Sequence, residues 1–480
     1  MDRRSSINSE QQAAPGKMSN KDIEALVKHL RATFNTGKTR PLSWRIDQLE
    51  AMRSMLRDHN MEFIKALNSD SGRPLYEAWT GDVFCAQNEI GEAIKGIKKW
   101  VKPRPLKSNI GFFPSKAWTM LDPLGVTLVI APWNYPLELI LNPAVGAIGA
   151  GNCVVLKPSE LAPHTSALLT KYVPQYLDTD AIAVVEGGVP ETTALLAQHF
   201  DYIFYTGNGR VGRIILEAAA RNLTPVTLEL GGKCPCFVTK HAKLGVSCRR
   251  LAWGKFYNNG QTCTAPDYVL VEKSIEDAFL ECLRKTIKAF YGADPQKSED
   301  YGRIVNERHF KRLVSLLEGQ EVFIGGQTDP SDLYIAPTVL RNVSPDSPIM
   351  QEEIFGPILP VISVPDVETA IAFVNERQKP LAHCIFTENR QEERMILERT
   401  TAGGVDINTA NLHSATPGIP FGGVGASGMG AYHGRLSFET FSHRKSVIRQ
   451  GTWTELLSQA ILPPYKKWKW ALAKVITGTW

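Results

Sequence analysis

Between Gly125 and Gly212 the sequence repeats one pattern, a short β-rich run, a turn and then a helical stretch of ten or so residues. The runs are Val126-Thr127-Leu128-Val129-Ile130, Cys153-Val154-Val155-Leu156, Ile182-Ala183-Val184-Val185 and Tyr202-Ile203-Phe204-Tyr205. Apolar strands that alternate with helices predict a parallel, doubly wound sheet. Such sheets bind ligands beyond the carboxyl ends of their strands, so the residues that follow each run are the ones to inspect.

Each exit carries its own chemistry. After the first run, Ala131-Pro132-Trp133-Asn134-Tyr135-Pro136 places the Asn134 amide between two prolines that stiffen the turn. After the second, Lys157-Pro158-Ser159-Glu160 offers a lysine suited to a ribose or phosphate and a glutamate suited to ribose hydroxyls; both are equally read as solvated loop charges. After the fourth, Thr206-Gly207-Asn208-Gly209-Arg210-Val211-Gly212 fits G-x-G-x-x-G between a strand and a helix, the context that motif needs to hold a pyrophosphate. Glu229 is the next acid in a strand, where the motif would assign it to a ribose. In Thr227-Leu228-Glu229-Leu230-Gly231-Gly232-Lys233, however, it ends an apolar strand beside two glycines. Partial desolvation there raises a carboxyl toward the range of a general base.

The thiol to weigh with these groups is Cys263, in Asn258-Asn259-Gly260-Gln261-Thr262-Cys263-Thr264. Upstream, Ala252 to Tyr257 continues a helical rhythm that the Asn-Asn-Gly turn stops, so Cys263 is expected on a loop facing a cleft. A lone cysteine is more often a small buried hydrophobe, and only its companions change those odds.

The rest of the chain sets bounds. With 480 residues, 43% hydrophobic and 21% charged, it is long enough for two or more domains, and a net charge of +5 without a Lys/Arg block points away from nucleic acid. Eight cysteines without a repeating frame suit a reducing compartment. Cys234-Pro-Cys236 has no second pair at ligand spacing, so no metal site is expected. Residues 20–100 read as helical, with Ile23, Leu26, Val27, Leu30 and Phe34 on one stripe and Ile46, Leu49, Met52 and Met55 on another. Met1 to Ser19 reads as a polar, disordered tail without an export address, and no segment has the roughly 18 to 20 apolar residues that span a bilayer. The expected location is the cytoplasm.

Cys263 in Gly260-Gln261-Thr262-Cys263, Glu229 in Leu228-Glu229-Leu230-Gly231-Gly232-Lys233, Asn134 in Pro132-Trp133-Asn134-Tyr135-Pro136 and Glu353 in Gln351-Glu352-Glu353-Ile354-Phe355-Gly356-Pro357 together resemble the aldehyde dehydrogenase superfamily. The resemblance runs from about Asp22 to Arg449. Within it, Gly187-Gly188-Val189-Pro190-Glu191, Trp253-Gly254-Lys255-Phe256 and Pro420-Phe421-Gly422-Gly423 resemble the class 3 and fatty aldehyde branch.

That resemblance implies an α/β fold with a Rossmann-like parallel-sheet cofactor domain (20–100 and 118–229), an α/β catalytic domain (230–426) and a small β oligomerisation arm (101–117 and 427–449). A C-terminal amphipathic tail (450–480) follows. It implies Cys263 as nucleophile, Asn134 as donor to the oxyanion and Glu229 as activator of the hydrolytic water. Lys157 and Glu160 would hold the adenosine ribose and Glu353 the nicotinamide ribose. Trp133, Gly207, Asn208, Gly212 and Phe355 would complete the cofactor site. Glu160 disfavours a 2′-phosphate and so favours NAD, although relatives in this branch also accept NADP. Two departures touch these assignments: Asn208 stands where the class usually has serine, and Thr409 in Asp406-Ile407-Asn408-Thr409 replaces an acid near the substrate entrance.

The expected reaction is NAD(P)-dependent oxidation of medium- or long-chain, lipid-derived aldehydes to acids through a Cys263 thiohemiacetal and thioester. Aromatic or terpenoid aldehydes are the alternative substrates. A coenzyme A-acylating enzyme is disfavoured by Glu229, and a non-catalytic binding protein by the presence of Cys263, Glu229 and Asn134 together. Relatives pair the arm into a homodimer. In the tail, Lys466-Lys467-Trp468-Lys469-Trp470 interleaves Lys and Trp on a short amphipathic helix, which suits either a cytosolic membrane face or a protein surface.

Overall fold

The computed structural model describes residues 18–107, 115–452 and 462–477. Most of the expected N-terminal tail, the centre of the arm (108–114) and part of the C-terminal tail lie outside the described residues.

The chain opens on helices. Ser19 caps Asn20–Thr36 in a capping box with Asp22, and Gly37 ends that helix in the left-handed region. The expected stripes face inward: Ile23, Val27 and Leu30 are buried, as are Leu49, Met52 and Met55 of the helix Leu42–Asp58. Strands then follow in chain order: β1 Arg104–Leu106, β2 Lys116–Pro123, β3 Val126–Ile130, β4 Cys153–Lys157, β5 Ile182–Val184, β6 Tyr202–Thr206, β7 Val226–Glu229, β8 Pro235–Val238, β9 Tyr268–Glu272, β10 Glu321–Ile324, β11 Thr328–Asp329, β12 Tyr334–Ile335, β13 Thr338–Arg341, β14 Ile358–Val364, β15 Ala382–Phe386, β16 Gly404–Ile407, β17 Gly428–Met429 and β18 Ser442–Arg449.

The four runs of the repeat are β3 to β6, in one sheet of order β17-β7-β6-β3-β4-β5 that is parallel except at β17. The order turns back between β3 and β6. Their carboxyl ends therefore flank the crevice where such sheets take ligands. A second sheet, β10-β13-β14-β9-β8-β15-β16, is parallel except at β10. β18 lies antiparallel to β2 along eight residues in a small sheet with β1. Before reaching β18 the chain packs on the first sheet: Tyr432, Phe438 and Phe441 are buried there, and Phe204 stacks edge-on to Tyr432.

Two apolar cores cover the faces of the second sheet, and a third joins the N-terminal helices to the first. The helix Leu244–Phe256 buries Cys248, Leu251, Ala252 and Phe256 in a core of the second sheet, whereas the partly buried Cys263 packs against the core of the first. The candidate thiol thus stands at the seam between the sheets.

Candidate active site

Cys263 sits on a loop built to leave the helix abruptly. After Phe256, Asn258 and Asn259 both take left-handed backbone angles, a conformation asparagine adopts more readily than other non-glycine residues. Gly260 follows at φ 70, where a Cβ would lie 2.3 Å from the carbonyl of Gly356. Gln261 then anchors the loop with every polar atom: its Nε2 donates to the carbonyls of Asn258 and Arg303, and its Oε1 accepts from the Val305 amide. On either side of the thiol, Thr262 shares a 2.6 Å hydrogen bond with Tyr135, and Thr264 donates to Asn411, which in turn donates to the Gly254 carbonyl. The cysteine is held from both flanks.

The thiol faces a cavity of about 310 Å³ walled by Tyr76, Phe84, Tyr135, Trp253, Phe421 and Tyr432, with Leu412, Ser414 and Ala415 at its side. The loop after the departing Asp406-Ile407-Asn408-Thr409 therefore does border this space, through the short helix Leu412–Ala415. Burial pushes the Cys263 thiol up, and Glu353, Glu229 and Glu138 add to the shift. The resting group is a thiol, and something must remove its proton before it can attack.

Asn134 is buried beneath this loop, off the cavity wall, and its Nδ2 donates to the Gln261 carbonyl at 3.0 Å. Its own carbonyl accepts from Asn258 Nδ2 and from Arg73, whose guanidinium forms a fully buried ion pair with Asp82. Glu229 is likewise buried and off the cavity wall, at the end of β7. Burial pushes its carboxyl well above the usual range, against a smaller pull from the Gly423 backbone amide. Proton acceptance by Glu229 therefore needs it to ionise first.

On the first sheet's crevice the exits fall into two groups. Lys157, the last residue of β4, is buried; its Nζ donates to the Pro158 carbonyl and lies 3.6 Å from the half-exposed Glu160. Burial, opposed by Glu160, lowers its pKa. Asn208 caps the helix Gly209–Ala220, its side chain accepting from the Val211 amide at 3.0 Å. Gly212 is packed, with a Cβ predicted 3.1 Å from Leu230, and Gly207 would meet the Tyr205 ring. The Thr206 hydroxyl is buried beside that helix start without a partner.

Glu353 comes from the second sheet and lies against Gly231, while Phe355, at φ 50, meets Trp133 edge-on at 5.5 Å. Burial, then Asp267, pushes the Glu353 carboxyl up to about 8. The structure thus brings Trp133, Phe355 and Glu353 to one side of the cysteine loop, and Lys157, Glu160, Gly207, Asn208 and Gly212 to the sheet's carboxyl edge.

Four further residues stand in this arrangement, and their contacts there are not announced by the sequence. Lys233 Nζ donates to Asp267 at 2.5 Å and to the carbonyls of Ile349 and Glu352, and Asp267 accepts from the Ile354 amide, so the pair fastens the segment that bears Glu353. Lys255 is buried with no hydrogen-bond partner, and burial pushes it down to about 8. His309 packs on Trp133 at 5.3 Å. A lysine in Gly231-Gly232-Lys233 reads as a surface charge until Asp267 is placed beside it. Among the described residues no group of three or more His, Cys, Asp or Glu is disposed to hold a metal ion.

Comparison with known proteins gives the same picture. The aldehyde dehydrogenase family model matches residues 1–447. The rat protein "Aldehyde dehydrogenase family 3 member A2" is 47% identical over 452 residues, covering 94% of this chain and 93% of its own. The mouse "Aldehyde dehydrogenase, dimeric NADP-preferring" is 48% identical over 443 residues, covering 92% and 98%. In structure, the substrate-bound state of Staphylococcus aureus AldH superposes with a TM-score of 0.92 at 42% identity, over 95% of this chain and 99% of that one.

Proposed function

The chain belongs to the aldehyde dehydrogenase family, and from that premise we propose that it uses Cys263 to oxidise medium- and long-chain, lipid-derived aldehydes with NAD or NADP. It is an enzyme that oxidises aldehydes. The observation that carries the finer reading is the placing of Cys263 on the wall of a largely aromatic cavity, between a sheet edge suited to a dinucleotide and a segment bearing Glu353.

The residues present fit the cofactor. Lys157 and Glu160 would take the adenosine ribose, and the helix start at Gly209 with the unpartnered Thr206 hydroxyl would take the pyrophosphate. Glu353, supported by Lys233 and Asp267, would hold the nicotinamide ribose between Trp133 and Phe355. When bound, the nicotinamide supplies a hydride acceptor. The relatives' names include an NADP-preferring enzyme, and Glu160 favours NAD; the two cofactors are compared in the test below. In this reading 20–100 with 118–229 forms the cofactor domain and 230–426 the catalytic domain.

The chain's own residues do the rest. Cys263 Sγ, once deprotonated, bonds to the aldehyde carbon, and its backbone N–H and the free amide N–H of Asn134 stabilise the oxygen that becomes anionic. Loss of hydride leaves a thioester on Cys263. Glu229, once ionised, takes a proton from water, the hydroxide adds to the thioester carbon, the carbon–sulfur bond breaks to return the Cys263 thiolate, and the carboxylic acid leaves.

The test is reduction of NAD, and separately NADP, with straight-chain aldehydes of increasing length, beside Cys263→Ala. Activity that rises with length and is lost in the variant supports the reading. Turnover confined to short or aromatic aldehydes removes the lipid assignment.

Two surface features extend it. β2 and β18 would build a homodimer, as the mouse relative's name states for that protein, and light scattering of the purified chain decides between monomer and dimer. Tyr465, Trp468 and Trp470 are all exposed, the last two on the helix Lys467–Thr477, which favours peripheral contact with a cytosolic membrane face. Among the described residues no helix is long and apolar enough to cross a membrane. Equal sedimentation with anionic vesicles by the full chain and by a chain ending at Pro464 would remove the membrane reading.

A further inference from the structure

One acid shares the cavity with the nucleophile and has no part in the reaction above. Apart from the thiols of Cys85 and Cys263 and the tyrosines, Glu138 is the only acid or base among the residues that line it. It stands at the first turn of the helix Glu138–Ala150, where its backbone N–H donates to Asp82, and its half-buried side chain opens into the cavity.

Several of the other polar side chains around the thiol are already engaged within the protein. Tyr135 and Thr262 bond each other, Thr264 bonds Asn411, and Ser414 donates to the Asn411 carbonyl. Glu138 has one long contact, 3.3 Å from Asn142 Nδ2 to Oε1, and its second oxygen has no hydrogen bond among the described residues. Burial, then Asp82, pushes the carboxyl well above the usual range. That shift favours the protonated form, and a neutral carboxylic acid offers both a donor and an acceptor. For a plain alkyl chain such a group is a liability, because the chain strips its water and returns no hydrogen bond.

We propose that Glu138 is a specificity-determining residue that hydrogen-bonds a hydroxyl group carried by an otherwise apolar aldehyde, a few carbons from the carbonyl. The separation follows from the space: a cavity of about 310 Å³ is, as a sphere, only roughly 8 Å across. A hydroxyl matches the acid with a donor and an acceptor of its own, whereas a carboxylate-bearing aldehyde would place a charge in an aromatic enclosure. The proposal rests on the reading that Cys263 is the nucleophile at this cavity. It adds the residue that tells a hydroxylated chain from a plain one.

The test uses the purified full chain with trans-2-nonenal and its 4-hydroxy derivative, whose double bond prevents cyclisation, so that the two substrates differ by one oxygen. Wild type is expected to favour the hydroxylated aldehyde in kcat/KM by about ten-fold or more, the size of one buried hydrogen bond made or left unpaired. Glu138→Leu is expected to abolish or reverse that ratio. Glu138→Gln, which keeps a donor and an acceptor in nearly the same shape, is expected to retain most of it, and circular dichroism checks that both variants fold. A wild-type ratio near one, or a ratio unchanged in Glu138→Leu, overturns the proposal. Failure of wild type to oxidise either aldehyde is a different result, which strikes the apolar-aldehyde reading itself.

Discussion

Gly231 and Glu353 approach so closely that a Cβ on the glycine would lie 2.1 Å from the carboxyl Oε2 and 2.4 Å from Oε1. The strand exit after β7 and the segment before β14 therefore meet with no room for a methyl group. Gly231→Ala is expected to fold, because the atom in the way is the end of a movable side chain, and to shift the Glu353 carboxyl out of place. The KM for NAD should rise about ten-fold, the scale of a displaced charge-assisted contact. A KM unchanged within two-fold would show that the carboxyl does not hold the cofactor.

Lys233 gives a second route to the same segment. Lys233→Met removes three hydrogen bonds, to Asp267, Ile349 and Glu352, while keeping most of the side chain's length. It leaves the buried Asp267 carboxylate without its cation. The expected result is a loss of stability of about 2 to 4 kcal/mol together with a raised KM for NAD. Thermal unfolding with steady-state kinetics checks both, and full stability with unaltered kinetics would contradict the bracing role.

The state of the Cys263 thiol is open to direct titration. Its pKa is raised by burial and by three carboxyls, so in the cofactor-free enzyme the thiolate fraction should grow about ten-fold per pH unit across pH 7 to 9. Carbamidomethylation of Cys263 by iodoacetamide, followed by mass spectrometry, measures it. A rate that is already level at pH 7 would mean that the thiolate is stabilised by a group absent from this account.

A second titration reports on stability rather than chemistry. Glu89 is buried, its Oε1 accepts from the Gly434 amide and the Ser437 hydroxyl, and burial pushes its carboxyl up to about 7. Between an unfolded value near 4.5 and about 7 the folded state binds the extra proton, so stability falls as pH rises through that window and levels off above it. Glu89→Gln keeps the accepting oxygen and removes the charge. It should be close to neutral at pH 5 and more stable than wild type at pH 8 by about 1 to 3 kcal/mol. An equal effect at both pH values would show that Glu89 is not ionised in the folded state at pH 8.

Strands β3 to β6 were legible because each is a run of consecutive apolar residues that ends in turn chemistry, as at Ile130 and Tyr205. The loop position of Cys263 was legible for a related reason, since Asn258-Asn259-Gly260 cannot continue a helix. Local signals name local structure. The roles of Lys233, Asp267 and Gln261 were not legible, because they depend on partners 34 to 119 residues away that no spacing announces. Asn208 shows the intermediate case: its place at the helix start was readable, but its side chain caps the helix rather than standing free for a ligand. Glu138 passed unnoticed because an acid at the first turn of a helix is what the helix dipole favours, and the cavity beside it appears only in three dimensions.

The pairing of β17 with β7 has a consequence for the making of the protein. Gly428 lies opposite Glu229 and Met429 opposite Leu228, so the sheet edge at Glu229 is closed by a strand synthesised roughly 200 residues later, a contact of high sequence separation. While the chain is still being translated, β7 is an uncovered edge with free amides and carbonyls, the kind of surface on which nascent chains mispair or meet chaperones. The edge beside Glu229 is closed only once residues 428 and 429 have emerged, and that step completes the first sheet.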